Sequence, residues 1–428
     1  MRIEIFLEGQ WQQCAEIALV ESTKLSRYGP ITLRYAGRYA PRHMFKTGIE
    51  ALSVRLPVNM QVYTFQRWPA FLIDLLPQGA AKRRLERGLE TSLSEWELLE
   101  RGALNPVGNL RILPPGTVDP RPHPGFELAQ MLARGDEFLA YAEEVGATVA
   151  GSTDAQGEAP KFWVVQDSNG RWHPDAGQLA VEALRFALLK FPVPEAGPRA
   201  TDMLRNEAAY QRVAQRLGLR VTSTLPTFEG GALLVPRFDR RSSPGGLTRL
   251  GVESLYSAAG VIDSARESLR HHEVLIELSK HLNDFDAELI EYCRRDVLNL
   301  ATGNRDNHGR NSAILKCVDG SMRLAPLFDF GPAYLDARHL PRVIHWDAEQ
   351  ASEVDWTASL LNLKDRFEDA KLPVPDFKPL AAALREFGTR MEGLPDLMAS
   401  CGVDKDIIDA RRQDIIRVRR SLAKVSAP

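Results

Sequence analysis

The sequence has few cysteines and no strong charge of either sign. Its 428 residues carry a formal net charge of −2, which provides no basic footprint for nucleic-acid binding. The four cysteines form neither a Cys-x-x-Cys pair nor a disulfide framework, so we expect reduced thiols, as in a cytoplasmic protein. They are Cys14, Cys293, Cys317 and Cys401.

Long hydrophobic runs are missing as well. No apolar stretch approaches the roughly 20 residues that a membrane-spanning helix needs. The amino terminus alternates polar and apolar residues over Met1–Phe6, as a strand does, and lacks the apolar core of a signal peptide. We therefore expect a cytoplasmic protein without a membrane partner.

The length and the 44% hydrophobic content predict two or three folding units. Residues 1–115 mix short strands with helices, and a proline-rich stretch follows over 114–124. Residues 125–245 alternate strands and helices, as in a nucleotide-binding lobe, and residues 246–428 become mostly helical. Helices are predicted at 267–282, 287–301, 378–391 and 404–424.

Residues 303–311 read Gly-Asn-Arg-Asp-Asn-His-Gly-Arg-Asn and carry proton-acceptor and metal-ligand groups close together. Transfer of a phosphoryl group requires a base beside the attacking hydroxyl and oxygen ligands for magnesium. Asp306 can be the base. Asn311 offers a neutral oxygen, and Asp329, in an Asp-Phe-Gly triplet after an apolar, strand-like run, offers a carboxylate. This order is typical of kinase-like enzymes.

The same residue types are also typical of a surface turn, and Asp-Phe-Gly occurs by chance in many chains. Their order along the chain favours the functional interpretation. The remainder of a nucleotide site is then expected upstream.

A loop rich in small and hydroxyl residues, Gly151 to Lys161, precedes a strand that begins Phe162-Trp163. Such a loop lets backbone N–H groups approach phosphates, although it has neither a Walker A ending nor the protein-kinase glycine pattern. A flexible hairpin loop is an equal alternative.

A second predicted strand, 184–192, carries Lys190 near its end, where the ammonium can reach phosphate or extend along the strand edge to water. A helix over 204–217 follows, with Glu207 expected in its first turn. Glu207 can orient Lys190, as a helix glutamate does in kinases. Alternatively, it is an acidic residue that the helix dipole favours in the first turn. The short strand of 231–236 then leads through Pro236 to Phe238, where a kinase would contact adenine.

Together these segments resemble the HipA family, the serine/threonine kinase toxins of bacterial toxin–antitoxin systems. The segments that carry the resemblance are the hydroxyl-rich loop, a Leu-Leu-Lys-Phe-Pro strand, an Asn-Glu helix start, an Arg-Phe-Asp-Arg segment and Gly-Asn-x-Asp-x-His-x-x-Asn. Segments 51–57, 71–79 and 105–112 are similar to the small first domain of that family. Nearly the whole chain is covered.

The resemblance implies an α+β, protein-kinase-like two-lobed fold with a small mixed α/β amino-terminal domain and a mostly helical carboxy-terminal lobe. It implies an amino-terminal subdomain at 1–115, a nucleotide-binding lobe at 125–245 and a helical kinase lobe at 246–428. ATP and Mg²⁺ are the implied cofactors.

Residue by residue, the family implies Asp306 as catalytic base and Asn311 and Asp329 as magnesium ligands. His308 would lie near the phosphates, and Lys190 would hold them. The implied nucleotide-binding set is Gly151, Ser152, Thr153, Lys161, Lys190, Glu207, Pro236, Phe238, His308, Asn311 and Asp329. The best-known toxin of the family has glutamate where Pro236 stands, so a contact there must use the Pro236 carbonyl.

The loop before Lys161 is longer than in that toxin, which autophosphorylates a serine at the loop start. Here Thr148, Ser152 and Thr153 are the candidate hydroxyls. The family further implies toxicity through phosphorylation of a cytoplasmic protein, for which an aminoacyl-tRNA synthetase is the suggested target. It also implies a HipB-like helix-turn-helix antitoxin, through which any contact with nucleic acid would be indirect.

Two other functions fit parts of the sequence. Asp306, His308, Asn311 and Asp329 can also form a metal-dependent nuclease site, but that leaves Lys190 and the Phe238 segment without a role. A nucleotide-binding pseudokinase that serves as a scaffold is the second alternative.

Overall fold

The structure, a computed structural model, describes most of the chain. The described residues are 1–87, 89–113, 123–144, 161–175, 183–192, 197–243, 245–264, 266–339, 341–350 and 353–428. The loop of 151–160, with Gly151, Ser152 and Thr153, lies outside them, as does Thr148. Within this part of the chain, no helix is both long enough and apolar enough to cross a membrane.

Strands and helices alternate in the first two thirds of the chain, and helices dominate the last third. The strands are β1 (Arg2–Leu7), β2 (Gln10–Leu19), β3 (Ile31–Tyr35), β4 (Val62–Phe65), β5 (Leu110–Ile112), β6 (Lys161–Asp167), β7 (Trp172–Pro174), β8 (Ala183–Lys190), β9 (Thr227–Glu229), β10 (Ala232–Pro236), β11 (Arg240–Ser243), β12 (Gly246–Arg249), β13 (Gly251–Ser254), β14 (Ala313–Lys316), β15 (Met322–Leu324), β16 (Glu349–Gln350) and β17 (Glu353–Val354).

The helices are α1 (Phe71–Leu75), α2 (Gly79–Glu86), α3 (Glu95–Gly102), α4 (Leu128–Leu132), α5 (Asp136–Glu144), α6 (Ala200–Arg216), α7 (Leu255–Ala259), α8 (His271–Ser279), α9 (Phe285–Thr302), α10 (Trp356–Asp369), α11 (Phe377–Arg390), α12 (Leu394–Ser400) and α13 (Lys405–Ala423). The mixed α/β composition agrees with the predicted fold class.

The chain divides into two compact units whose segments interleave. The first unit comprises Met1–Glu195, Thr227–Ile262 and Leu315–Ser321, and the second comprises Ala196–Pro226, Asp263–Ile314 and Met322–Pro428. The three domains at 1–115, 125–245 and 246–428 stay a prediction.

The first unit contains two antiparallel five-stranded sheets. Their strand orders are β4-β3-β2-β1-β5 and β7-β6-β8-β10-β9. Alternate residues of β1, including Ile3 and Ile5, point into a core with Leu72 and Leu99. This is the pattern expected for a sheet with one covered face. The second sheet packs its own apolar face, including Val164 and Leu189, against residues of α4 and α5.

The second unit is built around α9, and its two ends are defined by short polar and glycine signals. The Asp284 carboxylate caps the first turn by accepting the Ala287 N–H at 3.2 Å. At the other end Gly303 has a φ of +78°, which terminates the helix in the left-handed region that glycine favours. The helix predicted over 287–301 is therefore two residues longer at its start and one at its end.

Two sequence expectations in the second unit were wrong in detail. The helix predicted over 204–217 begins at Ala200, so Glu207 lies in its second turn and Asp202 is the acidic residue of the first turn. The apolar residues before Asp329 do not form a strand, since β15 ends at Leu324. The Leu327 N–H donates instead to the Arg220 carbonyl at 2.8 Å.

Candidate active site

Asp306 lies on a tight loop that begins where α9 ends. Asn311 Nδ2 donates to the Asp306 carbonyl oxygen at 2.9 Å and to Asp306 Oδ2 at 3.0 Å. The first bond ties the Asn311 amide to the backbone of Asp306, and the second orients the carboxylate. They also use the nitrogen end of the Asn311 amide, so that Asn311 Oδ1 is the end that can bind a cation.

His308 approaches the other oxygen of the same carboxylate. Its Nε2 lies 3.3 Å from Asp306 Oδ1, and its Nδ1 accepts the Arg310 backbone N–H at 3.2 Å. Because Nδ1 acts as an acceptor, the proton of a neutral ring is on Nε2, the nitrogen that faces Asp306. The structure thus brings Asp306, His308 and Asn311 together, as the spacing predicted.

The Asp-Phe-Gly triplet is fixed by its middle residue. The Phe330 side chain is fully buried, and its ring centre lies 5.2 Å from that of Tyr210 on α6. The Tyr210 hydroxyl donates to the Thr302 carbonyl at 2.9 Å, just before the Asp306 loop. One tyrosine therefore supports both the triplet and the start of the loop.

Further backbone contacts connect the same two segments. The Ala325 N–H donates to the Ala313 carbonyl at 2.8 Å, and the Tyr334 N–H donates to the Gly303 carbonyl at 3.3 Å. Asp329 has a φ of +52°, an uncommon value for a residue with a side chain. Left-handed backbone of this kind persists where the surroundings hold it, and it is frequent at functional sites.

Glu207 is buried on α6 beside the triplet. A side chain built onto Gly331 would come within 3.4 Å of the Glu207 Cβ, so the backbone of the triplet passes close to this glutamate. The preceding residue, Asn206, anchors α6 by donating to Asp404 Oδ2 at 2.8 Å and by accepting the Asp404 N–H at 2.9 Å. The predicted partner, Lys190, belongs to the first unit, and the Lys190–Glu207 pair stays a prediction.

In the first unit, two of the predicted phosphate-binding lysines are direct neighbours. Lys161 at the start of β6 and Lys190 at the end of β8 are paired in register. Cross-strand partners of this kind project from the same face of a sheet. Lys190 is only 4% exposed, which is unusual for a lysine.

The segment predicted to contact adenine is held on both sides of Phe238. Pro236 ends β10, and the Arg237 N–H donates to the Phe186 carbonyl at 2.9 Å. The Arg237 guanidinium donates to both carboxylate oxygens of Asp239, at 2.8 and 2.6 Å. Burial alone would raise the pKa of Asp239, but the charges of Arg237 and Arg240 lower it to about 2.

Sequence reasoning missed a buried network that holds the residue after the base. Asn307 Oδ1 accepts the Val343 N–H at 2.9 Å, and Asn307 Nδ2 donates to the Ile344 carbonyl at 2.8 Å. Next to these residues, Arg342 donates to both oxygens of Asp296, at 2.9 and 2.6 Å. The available signal was an acidic residue, Asp296, at helical spacing from the apolar residues Cys293 and Leu300, because buried carboxylates need partners.

The two predicted cation ligands, Asn311 and Asp329, have side chains of the type that suits a hard cation. Asn311 supplies an amide oxygen and Asp329 a carboxylate, and both are ligands that Mg²⁺ prefers. Within the described residues there is no group of three or more His, Cys, Asp and Glu side chains arranged to hold a metal ion. The four cysteines are buried free thiols.

Comparison with known families covers most of the chain. The model of the HipA-like C-terminal domain matches residues 153–391, and the model of the HipA N-terminal domain matches residues 23–113. The protein named "Putative kinase Y4mE" from Sinorhizobium fredii (strain NGR234) is 25% identical over 292 residues, which are 65% of this chain and 67% of that protein.

One solved structure agrees with this chain at the level of the fold. The HipA chain of Shewanella oneidensis MR-1, determined in a toxin–antitoxin complex with HipB and its operator DNA, superposes with a TM-score of 0.68. That match has 18% sequence identity and covers 99% of this chain and 97% of the other. The proinflammatory kinase CtkA of Helicobacter pylori aligns with 65% of this chain and 95% of its own, at 14% identity and a TM-score of 0.37. The chain belongs to the HipA family.

Proposed function

We propose that this protein is an ATP-dependent serine/threonine protein kinase of the HipA type. The observation that carries the proposal is the Asp306 loop, in which Asn311 Nδ2 donates to Oδ2 of the Asp306 carboxylate and His308 Nε2 lies 3.3 Å from its Oδ1. Asp306 accepts the proton of the attacking hydroxyl, whose oxygen bonds to the γ-phosphorus as the bond to the ADP oxygen breaks. A positioned base of this kind typically contributes about 10²–10⁴ in rate.

The two neighbouring lysines support a phosphate-binding role. Two ammonium groups on the same face of a sheet can together contact one polyphosphate. Lys161 and Lys190, in this proposal, contact the phosphates of ATP. Phe238 lines the adenine pocket, and the Pro236 carbonyl accepts a hydrogen bond from the base. Glu207 orients Lys190.

Magnesium is assigned to Asn311 and Asp329 on the chemistry of their oxygens. When bound, Mg²⁺ neutralises charge on the transferred phosphate. The hydrogen bonds from Asn311 Nδ2 to Asp306 keep the amide oxygen directed away from the base. The loop therefore separates the proton acceptor from the cation ligand.

We further propose a toxin role in the cytoplasm, in which the kinase arrests growth by phosphorylating a cellular protein. The HipA neighbour was solved with HipB and operator DNA, which supports a helix-turn-helix antitoxin as partner here. Contact with DNA would then be through that antitoxin. An aminoacyl-tRNA synthetase is the proposed substrate class, and Thr148, Ser152 and Thr153 are the proposed autophosphorylation sites.

Incubation of the purified chain with ATP and Mg²⁺ tests the proposal. We expect phosphate incorporation, mapped by mass spectrometry, that Asp306→Ala and Asp329→Ala abolish. Asp365→Ala removes an exposed carboxylate from α10 and should leave incorporation unchanged. Incorporation that survives Asp306→Ala would refute Asp306 as the base.

Two parallel measurements separate the alternatives. Loss of added DNA without ATP would indicate the metal-dependent nuclease. ATP binding without any phosphate transfer would indicate the pseudokinase scaffold. Growth arrest on expression that Asp306→Ala relieves would support the toxin role, whereas arrest that persists in Asp306→Ala would contradict it.

A further inference from the structure

A small cavity in the second unit lies beside the Asp306 loop without including the residues proposed for catalysis. Its volume is about 120 Å³, enough for about four water molecules at roughly 30 Å³ each. It lies where α9 ends and the loop begins. The lining residues are Asn299, Leu300, Gly303, Asn304, Arg305, Arg342, Arg411, Asp414 and Arg417.

The cavity wall is strongly cationic. Four of the nine lining residues are arginines and one is an aspartate. Arginine presents several N–H donors in a planar fork that matches the oxygens of phosphate-type anions. A concave site of this size and charge is suited to a compact oxyanion.

Two of the arginines project from α13 and are oriented by one carboxylate. Arg411 Nη2 lies 2.5 Å from Asp414 Oδ2, and Arg417 pairs with the other oxygen of Asp414. One negative charge therefore serves two guanidinium groups. The pair keeps an excess of one positive charge at the cavity.

Arg411 also covers the end of α9. A side chain built onto Gly303 would come within 3.0 Å of Arg411 Cζ, so the guanidinium packs directly against this glycine. Arg411 Nη2 lies 3.4 Å from the Leu300 carbonyl. The carboxyl end of a helix carries about half a negative charge, and Arg411 offsets it.

The other two arginines, Arg342 and Arg305, differ in whether they form ion pairs. Arg342 donates to both oxygens of Asp296 and to Glu349, so it forms part of the cavity wall and is not assigned to bind the anion. Arg305 is exposed, and its guanidinium makes no ion pair within the described residues. Arg305 is the residue immediately before Asp306.

A buried polar atom completes the site. Asn304 is 6% exposed, and its Nδ2 donates to Asn299 Oδ1 at 3.0 Å. Its Oδ1 is buried without a hydrogen-bond partner, which is a costly arrangement unless a donor is supplied. A protonated or hydrated anion in the cavity can supply that donor.

We propose that this cavity binds a phosphate-class oxyanion, a phosphomonoester or inorganic phosphate, through Arg305, Arg411 and Arg417. The bound anion joins Arg305 to α13 and so fixes the backbone of residues 303–305, which enters the Asp306 loop. The site is separate from the ATP site, and its occupancy regulates how well Asp306 is positioned.

Phosphate binding without nucleotide tests the proposal independently of the proposed kinase activity. The melting temperature is measured with increasing inorganic phosphate at constant ionic strength, with chloride as the reference anion. Ligands that bind only the folded state raise the melting temperature by mass action. We expect a saturable rise for the native chain that Arg305→Gln and Arg417→Gln weaken by roughly tenfold or more in affinity.

Matched variants make the result specific. Arg412, next to Arg411 on α13, pairs with Asp409 and does not line the cavity. The Arg412→Gln variant should therefore bind phosphate as the native chain does. Lys190→Met removes a predicted nucleotide contact and should keep the rise. The proposal is overturned if the phosphatase-treated native chain shows no rise, or if Arg305→Gln and Arg417→Gln, treated in the same way, show the native affinity.

The source of the anion is distinguished with the same assay. Mass spectrometry first establishes whether the chain carries a phosphoryl group, and a phosphatase-treated sample is compared with the untreated one. If a phosphorylated residue of this chain occupies the cavity, the untreated sample gains little from added phosphate and the treated sample gains fully. If the ligand is free, both samples respond equally. In each case Arg417→Gln should weaken phosphate binding by the phosphatase-treated sample roughly tenfold or more.

Discussion

The buried side chain of His271 should make the second unit less stable as the pH falls from 6.5 toward 3. Its Nδ1 lies 2.8 Å from the Tyr292 hydroxyl, and its Nε2 lies 3.0 Å from Arg342 Nη2. A guanidinium has no acceptor, so Nε2 must accept and the proton must be on Nδ1. The ring is therefore neutral, although Asp296 Oδ2 lies 3.4 Å away.

The magnitude follows from the pKa. Burial, together with the charge of Arg342, lowers the pKa of His271 from 6.5 to about 3, against the opposing effect of Asp296. Below pH 6.5 the unfolded chain binds a proton that the folded chain does not. Stability is thus fully present above pH 6.5 and falls by about 1.4 kcal/mol per pH unit toward pH 3. At pH 5 the loss is about 2 kcal/mol.

Urea unfolding at pH 7 and pH 5 measures this loss. His271→Gln cannot take up the proton, so the difference between its two free energies of unfolding should be about 2 kcal/mol smaller than in the native chain. Leu361→Gln is the control, because this exposed residue of α10 has no titratable group and the variant should keep the native difference. Equal pH dependence in the native chain and His271→Gln would refute the reasoning, as would an NMR titration of His271 near pH 6.5.

Two further predictions concern the Asp306 loop. Gly303→Ala should destabilise the second unit by more than about 1 kcal/mol, because φ is +78° and the new Cβ would come within 2.7 Å of Tyr334. Gly320 has a similar φ, but a Cβ added there would meet no atom within 4 Å. Gly320→Ala should therefore lower the melting temperature less than Gly303→Ala, and the difference measures the steric clash at residue 303. Asn307→Ala removes three hydrogen bonds to residues 343 and 344. Hydrogen exchange over 341–346 should accelerate, and unchanged exchange would contradict the assigned role of Asn307.

Much of the fold could be predicted because the signals are local. The polar and glycine residues at the ends of α9 lie next to an apolar periodic stretch, so its bounds were predicted to within two residues. The family resemblance rested on short motifs spread along the chain, and the family match confirmed it. Glu207 was misplaced by a turn because Ala200-Thr201-Asp202 extends α6 at its start.

Contacts that join distant parts of the chain could not be predicted from one sequence. Arg411 packs on Gly303 from more than 100 residues away, and nothing local in either segment indicates the other. In the same way, Asp296 signalled a missing partner, but only the fold identifies that partner as Arg342.

The central claim is that one loop separates proton transfer from cation binding. It is tested most directly by measuring ATP binding and phosphate transfer on the same samples of the native chain, Asp306→Asn and Asp329→Asn, with and without Mg²⁺. We predict that Asp306→Asn binds ATP with Mg²⁺ as the native chain does but transfers no phosphate, and that Asp329→Asn loses the Mg²⁺-dependent part of binding. Native transfer by Asp306→Asn, or unchanged Mg²⁺ dependence in Asp329→Asn, would contradict the account.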